Sequence, residues 1–592
     1  MKGDKLMIRL LKQMKLREVI LAAVCAVLVL GQIYFDLKLP DYMSNLTVIH
    51  QTPGSTTSDV WRVGGEMLLC ALGSMALSVI CGYLAAKVAA GFSYTLRERI
   101  FGTVSSFDQQ EMLDFSVPSL ITRTTNDVTQ IQMLIAMGLQ LLVKSPIMAV
   151  WAVIKIIGKS WELSLVTAAF IAVLLIIMAV IMVVLIPRFK RVQRQIDVIN
   201  RITRENLTGI KVVHAFNAEQ YQCDKFKTAN DNLTKTQLFN QRTMAVLMPV
   251  MTLAMNGLAL AIYWIGAALI NNIPSANMAD RLTLFSDVVV FSTYATYVIM
   301  SLMMLVMIFM MLPAAQVSAD RINEVLNTKS KIKEGSMTDG PETGTVEFKN
   351  VSFRYPSSEH DVLHNISFKV NKGETIAFIG ATGSAKTTLV SLAARLYDTT
   401  DGEVLIDGIN IKDYTFDALY DKIGYITQRA VLFSGTVRDN INFGESSAPV
   451  SDDNTWRALD IAQATDFVEK MPGGIDAEIA QGGTNVSGGQ KQRLSIARAL
   501  ARQPEILIFD DSFSALDYKT DAKLRAELNR QLKGTTLMIV AQRIGTIRHA
   551  DKIVVLDNGK AVGIGTHDEL IQNCDVYKEI AMSQLSPEEL GA

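Results

Sequence analysis

Apolar and polar positions follow two different rhythms along this chain. In the first half, six apolar stretches come close to or exceed the ~20 residues that carry a helix across a bilayer: residues 19–35, 67–86, 133–157, 163–186, 245–270 and 288–312. From Val346 onward, short apolar runs alternate with Gly and charged residues, the pattern of a soluble α/β domain. The expected organisation is a membrane domain over 1–326, a linker over 327–345, a nucleotide-binding domain over 346–585 and a tail over 586–592.

The connections between the spans are unequal. Spans three and four are joined by little more than Gly158-Lys159-Ser160-Trp161, whereas long charged segments of helical character separate two from three and four from five. Cations decide the orientation, because cytosolic loops carry the excess of Lys and Arg. Lys2, Lys5, Arg9, Lys12, Lys15 and Arg17 precede span one and place the N-terminus in the cytosol. Arg97, Arg99, Arg188, Lys190, Arg191 and Arg194 then fall on the same side, so the long segments read as cytosolic extensions of the membrane helices. The apolar run after the basic start reads as a retained span, because more spans follow it.

Two lysines lie inside span three. Ionisable groups at that depth are costly and mark functional candidates. Lys155 is expected to snorkel outward beside Lys159, and Lys144, next to Pro146, to face a helix interface or a cavity. The methionines of span six (Met300, Met303, Met304, Met307, Met310, Met311) suit an adaptable surface, or ordinary packing equally well.

A chain of 592 residues exceeds one globular core, and its formal net charge of −1 gives no basic face for nucleic acid. The five cysteines lack ligand-like spacing and read as free thiols, neither metal-bound nor in disulfides.

The chemistry sits in the second half. A short apolar strand, Gly373-Glu-Thr-Ile-Ala-Phe-Ile379, runs into Gly380-Ala-Thr-Gly-Ser-Ala-Lys-Thr-Thr388, and a helix is expected to continue to about Tyr397. Strand, small-residue loop and Lys-Thr opening a helix form a phosphate cradle, with Gly380, Thr382, Gly383, Ser384, Ala385, Lys386, Thr387 and Thr388 as the ATP-binding candidates. Lys386 would reach the outer phosphates and the Thr387 hydroxyl would ligate Mg²⁺. Ala385 stands where the pattern asks for Gly; if that position requires a positive φ, the methyl costs about 1 kcal/mol. Glu505-Ile-Leu-Ile-Phe-Asp510 reads as a buried strand ending in an acid, with Asp510 acting on the Mg²⁺ shell. Between the two lies Asn485-Val-Ser-Gly-Gly-Gln490, which opens a further helix and is a second anion site. Two such sites on one domain suggest nucleotide sandwiched head to tail between two domains.

These residues resemble ATP-binding cassette (ABC) transporters, to which Val486-Ser-Gly-Gly-Gln490 is specific, and the resemblance covers nearly the whole chain. It implies a six-span exporter domain fused to an α/β P-loop nucleotide-binding domain, with ATP and Mg²⁺ as cofactors. By it, Tyr355 is the aromatic that stacks on adenine, Gln428 the glutamine joining Mg²⁺ to the membrane domain, and Asp510 a metal ligand beside Thr387 and Gln428. Ser514-Ala-Leu-Asp517 matches the D-loop, so that Ser487, Gly488, Gly489, Gln490 and Asp517 act in trans on a partner's nucleotide. Leu120-Ile-Thr-Arg-Thr-Thr-Asn-Asp127 and Glu205-Asn-Leu-Thr-Gly-Ile-Lys-Val-Val-His-Ala-Phe216 look like the cytosolic helices of six-span exporters.

The departures carry as much information. Hydrolytically competent members have Glu after the strand acid and His in the switch; this chain has Asp511 and Gln542. Shortening the acid by one methylene withdraws its carboxylate by about 1 Å, a misplacement that can cost on the order of 10²-fold. A glutamine amide cannot carry the charge a histidine can. An intact signature beside this pair resembles the degenerate subunit of heterodimeric bacterial multidrug exporters. That resemblance implies a non-identical partner with Glu and His, a cytoplasmic-membrane location and amphiphilic substrates. A homodimer with two slow sites and a nucleotide-gated regulatory or channel-like protein stay open as alternatives.

Overall fold

The computed structural model describes residues 7, 9–51, 56–157, 160–274, 277–356, 358–444 and 450–585; Lys159 and the 586–592 tail lie outside them. The chain divides into two units, Met1–Val104 with Pro118–Asn327 and Ser105–Val117 with Thr328–Ala592.

The first unit is helical. Its long helices are α1 (Leu16–Gln51), α2 (Thr57–Ser105), α3 (Val128–Ile157), α4 (Trp161–Thr208), α5 (Glu219–Asn272) and α6 (Met278–Asn327). All six are long and apolar enough to cross a membrane. At 1.5 Å per residue the 54 residues of α5 span about 80 Å, far more than a hydrocarbon core of about 30 Å. The charged segments flagged in the sequence are therefore continuous extensions of the spans. Their apolar side chains do not meet one another as in a soluble core: Leu69, Val79 and Leu253 are 69, 67 and 73% exposed. A core does form where α1, α3, α5 and α6 pack, around Ile33, Ala152, Leu258, Phe291 and Tyr294. A short helix, Ile210–Ala215, joins α4 to α5 and exposes Val212, with Phe216 beyond its end.

Lys155 has a partner that the sequence expectation did not include: its ammonium lies 2.7 Å from Asp41 Oδ2 on α1, with both side chains more than a third exposed. Lys144 likewise pairs with Asp36 Oδ2 at 3.0 Å.

Ser105–Val117 packs with the second unit, although sequence reading places it inside the membrane domain. Its short helix Gln109–Asp114 is capped by Asp108, which accepts from the N–H groups of Gln110 and Glu111 and, on its other oxygen, from the Ser330 hydroxyl at 2.9 Å.

The second unit is built on two main sheets. An antiparallel sheet in the order β2-β1-β4-β5 uses Leu363–Val370, Val346–Phe353, Asp401–Ile406 and Ile409–Asn410. The larger sheet runs β12-β11-β3-β10-β9-β6, from Lys560–Gly565, Lys552–Asp557, Thr375–Gly380, Thr536–Val540 and Ile506–Asp510 to Ile423–Ile426. Only its edge strand β12 is antiparallel. A small ladder pairs β7 (Gly435–Thr436) with β8 (Glu478–Ile479).

Strand side chains alternate faces, and here each face enters its own core. Ala377, Ile379, Leu507, Phe509, Leu537 and Ile539 pack in one; Ile376, Phe378, Ile506, Ile508, Met538 and Val540 pack in the other. This double burial explains why β3, β9 and β10 read as unbroken apolar runs, as parallel strands covered on both faces do.

Candidate functional site

Register assembles the site. Asp510 ends β9 in step with Val540 of β10, and Phe509 in step with Ile426 of β6. Three neighbouring parallel strands therefore stop together, and the loops leaving them bring Asp511, Gln542 and Gln428 to one edge. The carboxyl ends of parallel strands are where open α/β sheets place ligands.

Strand β3 delivers the cradle to the same edge. Gly380 closes it against β11: a Cβ there would stand 2.0 Å from the Leu556 carbonyl oxygen, so no larger residue fits. The loop then enters helix α7 (Lys386–Ala393) through Ala385, at φ 71° and ψ 24°. This is the left-handed conformation in which Gly is at ease and an L-residue pays about 1 kcal/mol. The condition left open by the sequence is thus met, and Ala385 carries the strain. Helix α7 stops at Ala393 rather than near Tyr397, because Arg395 turns to φ 49° and is buried with its guanidinium on the Lys333 and Tyr414 carbonyls.

Lys386 is 8% exposed and folds its ammonium back into the loop, donating to the carbonyls of Gly380 and Ala381 at 2.9 and 2.8 Å and to Ser384 Oγ at 3.3 Å. Burial pulls its pKa down against the opposing pull of Asp511 and Asp510. Thr387 donates to Asp510 Oδ1 at 2.8 Å, and Tyr425 donates to Asp510 Oδ2 at 3.4 Å. Burial raises the Asp510 pKa, while the hydrogen bonds and Lys386 oppose the rise. The hydroxyl of Thr387, the Asp510 carboxylate and the nearby Gln428 amide are oxygen donors of the kind Mg²⁺ prefers, beside a loop whose lysine can neutralise phosphate. The residues fit the nucleotide and its metal.

Asp511 sits at φ 48° and gathers two amides on one oxygen: Gln542 Nε2 donates to Oδ2 at 2.8 Å and Gln428 Nε2 at 3.3 Å. Burial pushes the Asp511 pKa up, opposed by those two hydrogen bonds and by Lys386 and Arg543. Sequence reading named all three residues but not that they touch. Tyr425 escaped it altogether, since one aromatic in a strand carries no signal for contact with a residue 85 positions away.

Tyr355 follows β1 and is held by its neighbours, edge-on to Phe353 and Tyr397 at 4.8 and 5.4 Å, with its hydroxyl 2.9 Å from Thr388 Oγ1. Ser487 caps helix α8 (Gly488–Ala501) in a reciprocal box, its Oγ accepting from Gln490 N–H and Gln490 Oε1 accepting from Ser487 N–H. Ser487 and Gly488 are exposed, and among the described residues no hydrogen bond joins Ser487–Gln490 to Lys386, Thr387, Asp510 or Asp511. Asp517 caps helix α9 (Tyr518–Gln531) through Thr520, whose N–H and hydroxyl lower its pKa.

Fold and site together define a multi-pass membrane protein with a phosphate-binding α/β domain on the same chain. The profile of the ABC transporter transmembrane region matches residues 19–302, and that of the ABC transporter matches residues 363–514. An ABC transporter ATP-binding protein of Mycobacterium tuberculosis is 38% identical over 95% of this chain and 96% of its own length. Another, from Bacillus subtilis, is 35% identical over 96% of this chain and 97% of its own. An ATP-dependent lipid A-core flippase of Pseudomonas fluorescens is 30% identical over 86% and 84%. A solved bacterial Atm1-family ABC exporter with ATP bound superposes with a TM-score of 0.78 at 22% identity, over 96% of this chain and 99% of that one. The chain belongs to the ABC transporter family, as an exporter half-transporter whose ATP-binding domain is fused behind its membrane domain. The family resemblance read from the signature is borne out.

Proposed function

We propose that this chain is one subunit of an asymmetric bacterial exporter, holding ATP at its own site while hydrolysis proceeds mainly at the site it completes for a non-identical partner. The observation that carries this reading is the direct contact between Asp511 and Gln542, the two positions where hydrolytic members have Glu and His. Asp511 faces amides rather than a group able to hold a proton, and its carboxylate is one methylene short. Lys386, Thr387, Asp510 and Gln428 remain equipped to hold the nucleotide and Mg²⁺, with Tyr355 beside the base. The well-capped turn with Ser487 and Gly488 exposed supports a role in trans, as does the exposed apolar tip of Val212 and Phe216, which needs a partner surface.

In this reading ATP draws the two nucleotide domains together, the long helices transmit that closure to the spans, and hydrolysis at the partner's site resets the cycle. The cation pattern supports a cytosolic N-terminus and nucleotide domain, with the spans proposed to lie in the cytoplasmic membrane. Amphiphiles are the proposed substrates, and the relative named as a lipid A-core flippase supports a lipid-like cargo.

The test is ATPase activity of this chain alone and with a six-span ABC chain carrying Glu and His at the matching positions, sought first in the adjacent gene. Slow turnover alone and rapid turnover together are expected. In the complex, Asp511→Ala should change the rate modestly, and Glu→Gln at the partner's matching position should abolish most of it. Equal losses would overturn the asymmetric reading.

A further inference from the structure

Two carboxylates on α1 meet two lysines on α3, in unlike settings. Asp41 is locked between helices: Lys155 donates to Oδ2 at 2.7 Å and the Tyr294 hydroxyl of α6 to Oδ1 at 2.7 Å. That pair already ties α1 to α3 and α6.

Asp36 has another kind of neighbourhood. Lys144 Nζ donates to Oδ2 at 3.0 Å, and the Ser74 hydroxyl of α2 donates to Oδ1. A carboxylate offers about four lone-pair positions, and these contacts use two. The carboxylate lines a shallow, open cavity of about 350 Å³ between α1 and α2, with Gln32, Ser74 and Ser78 as its other polar walls and the exposed Met75 and Val79 among its apolar ones. Lys144 does not line it. The cavity therefore presents acceptor oxygens on one side and apolar surface on the other, with the balancing cation behind the wall.

Depth adds to this. Asp36 is 20 residues along α1 from Leu16, about 30 Å at 1.5 Å per residue, which sets it just past span one at the outer boundary of the hydrocarbon core. At that level a cationic headgroup can meet the carboxylate while its apolar body stays in the hydrocarbon, and an ion pair serving packing alone can be replaced by apolar residues. A second pin on the same two helices, opening onto a cavity, is explained better by a ligand.

We infer that Asp36 is the headgroup acceptor for cationic amphiphiles, with Met75 and Val79 against the apolar body and Lys144 as the resting counter-ion the ligand competes with. This rests on the exporter reading and adds the substrate class.

The test uses the full complex, with ethidium as the cationic probe and taurocholate as an anionic control. Ethidium binding is read by fluorescence anisotropy in detergent, and ATP-driven ethidium accumulation in inside-out vesicles. Asp36→Asn should weaken ethidium binding about tenfold or more and leave taurocholate binding unchanged, whereas Asp41→Asn should leave ethidium affinity within about twofold. If the wild type does not bind ethidium, or binds it as tightly with Asp36→Asn, the inference fails whatever the transport result. Recovery of ethidium binding in Asp36→Asn/Lys144→Gln would also overturn it, by reducing the pair to a helix pin. Ethidium binding that depends on Asp36 without any ATP-driven accumulation would support the inference and count against the exporter reading instead.

Discussion

Gln542 Nε2 donates to Asp511 Oδ2 across 2.8 Å, joining the two residues by which this chain departs from hydrolytic members of its family. The contact makes the departures one feature. An acid one methylene short is held by a neutral donor, and Gln428 adds a second amide at 3.3 Å on the same oxygen. Each substitution favours the other, so reversing one alone should achieve little.

With the partner's own site silenced, the double variant Asp511→Glu/Gln542→His should raise the residual ATPase by about 10²-fold, the scale of a 1 Å repositioning. Either single variant should give less than about a tenth of that gain. ATP turnover of the assembled complex at saturating Mg·ATP measures it, and a single variant matching the double would show that the two residues act independently.

Ala385→Gly removes the left-handed strain at φ 71° but loosens the unfolded chain, leaving a net stabilisation of about 0.5 kcal/mol. Ala385→Val sets a β-branched residue in the same conformation and should destabilise the loop by more than about 1 kcal/mol. Thermal melting of the full chain with and without ATP should rank the three Gly, Ala, Val.

Ser487→Ala deletes half of the reciprocal cap on α8, worth about 1 kcal/mol. Beyond that cost, hydrolysis at the partner's site should fall by about tenfold or more while nucleotide stays bound at this chain's own Lys386, as losing one donor to a transition-state phosphate does. Photolabelling of each site separately, alongside turnover, checks both parts.

Glu111 gives a pH dependence. It is buried beside Asp108, and burial first, then the Asp108 hydrogen bond, raise its pKa to about 7. The folded state holds this proton more tightly than the unfolded chain does. The helix Gln109–Asp114 is therefore most secure below the ordinary glutamate range and loosens as pH rises through about 7. Hydrogen exchange of residues 105–117, corrected for intrinsic rates, should show less protection at pH 8 than at pH 6. Glu111→Gln should abolish the difference.

Much was settled by sequence because its causes are local. Apolar length marks a span, an unbroken apolar run marks a strand buried on both faces, and Gly-rich turns before Lys386 and after Ser487 mark helix entries. What the chain could not spell out depends on distant partners. Asp36 and Lys144 are 108 residues apart, and Asp41 and Lys155 are 114 apart; nothing near either lysine foretells its acid on another helix. The left-handed state of Ala385 was visible only as a condition, since φ follows from how the loop closes between β3 and α7. Ser105–Val117 looked like part of the membrane domain until the Asp108–Ser330 contact placed it with the other unit. Sequence determined most of the groups the site contains, Tyr425 excepted. Tertiary structure decided that Asp511 and Gln542 touch, because only the parallel register pairing Asp510 with Val540 brings two loops 31 residues apart to one sheet edge.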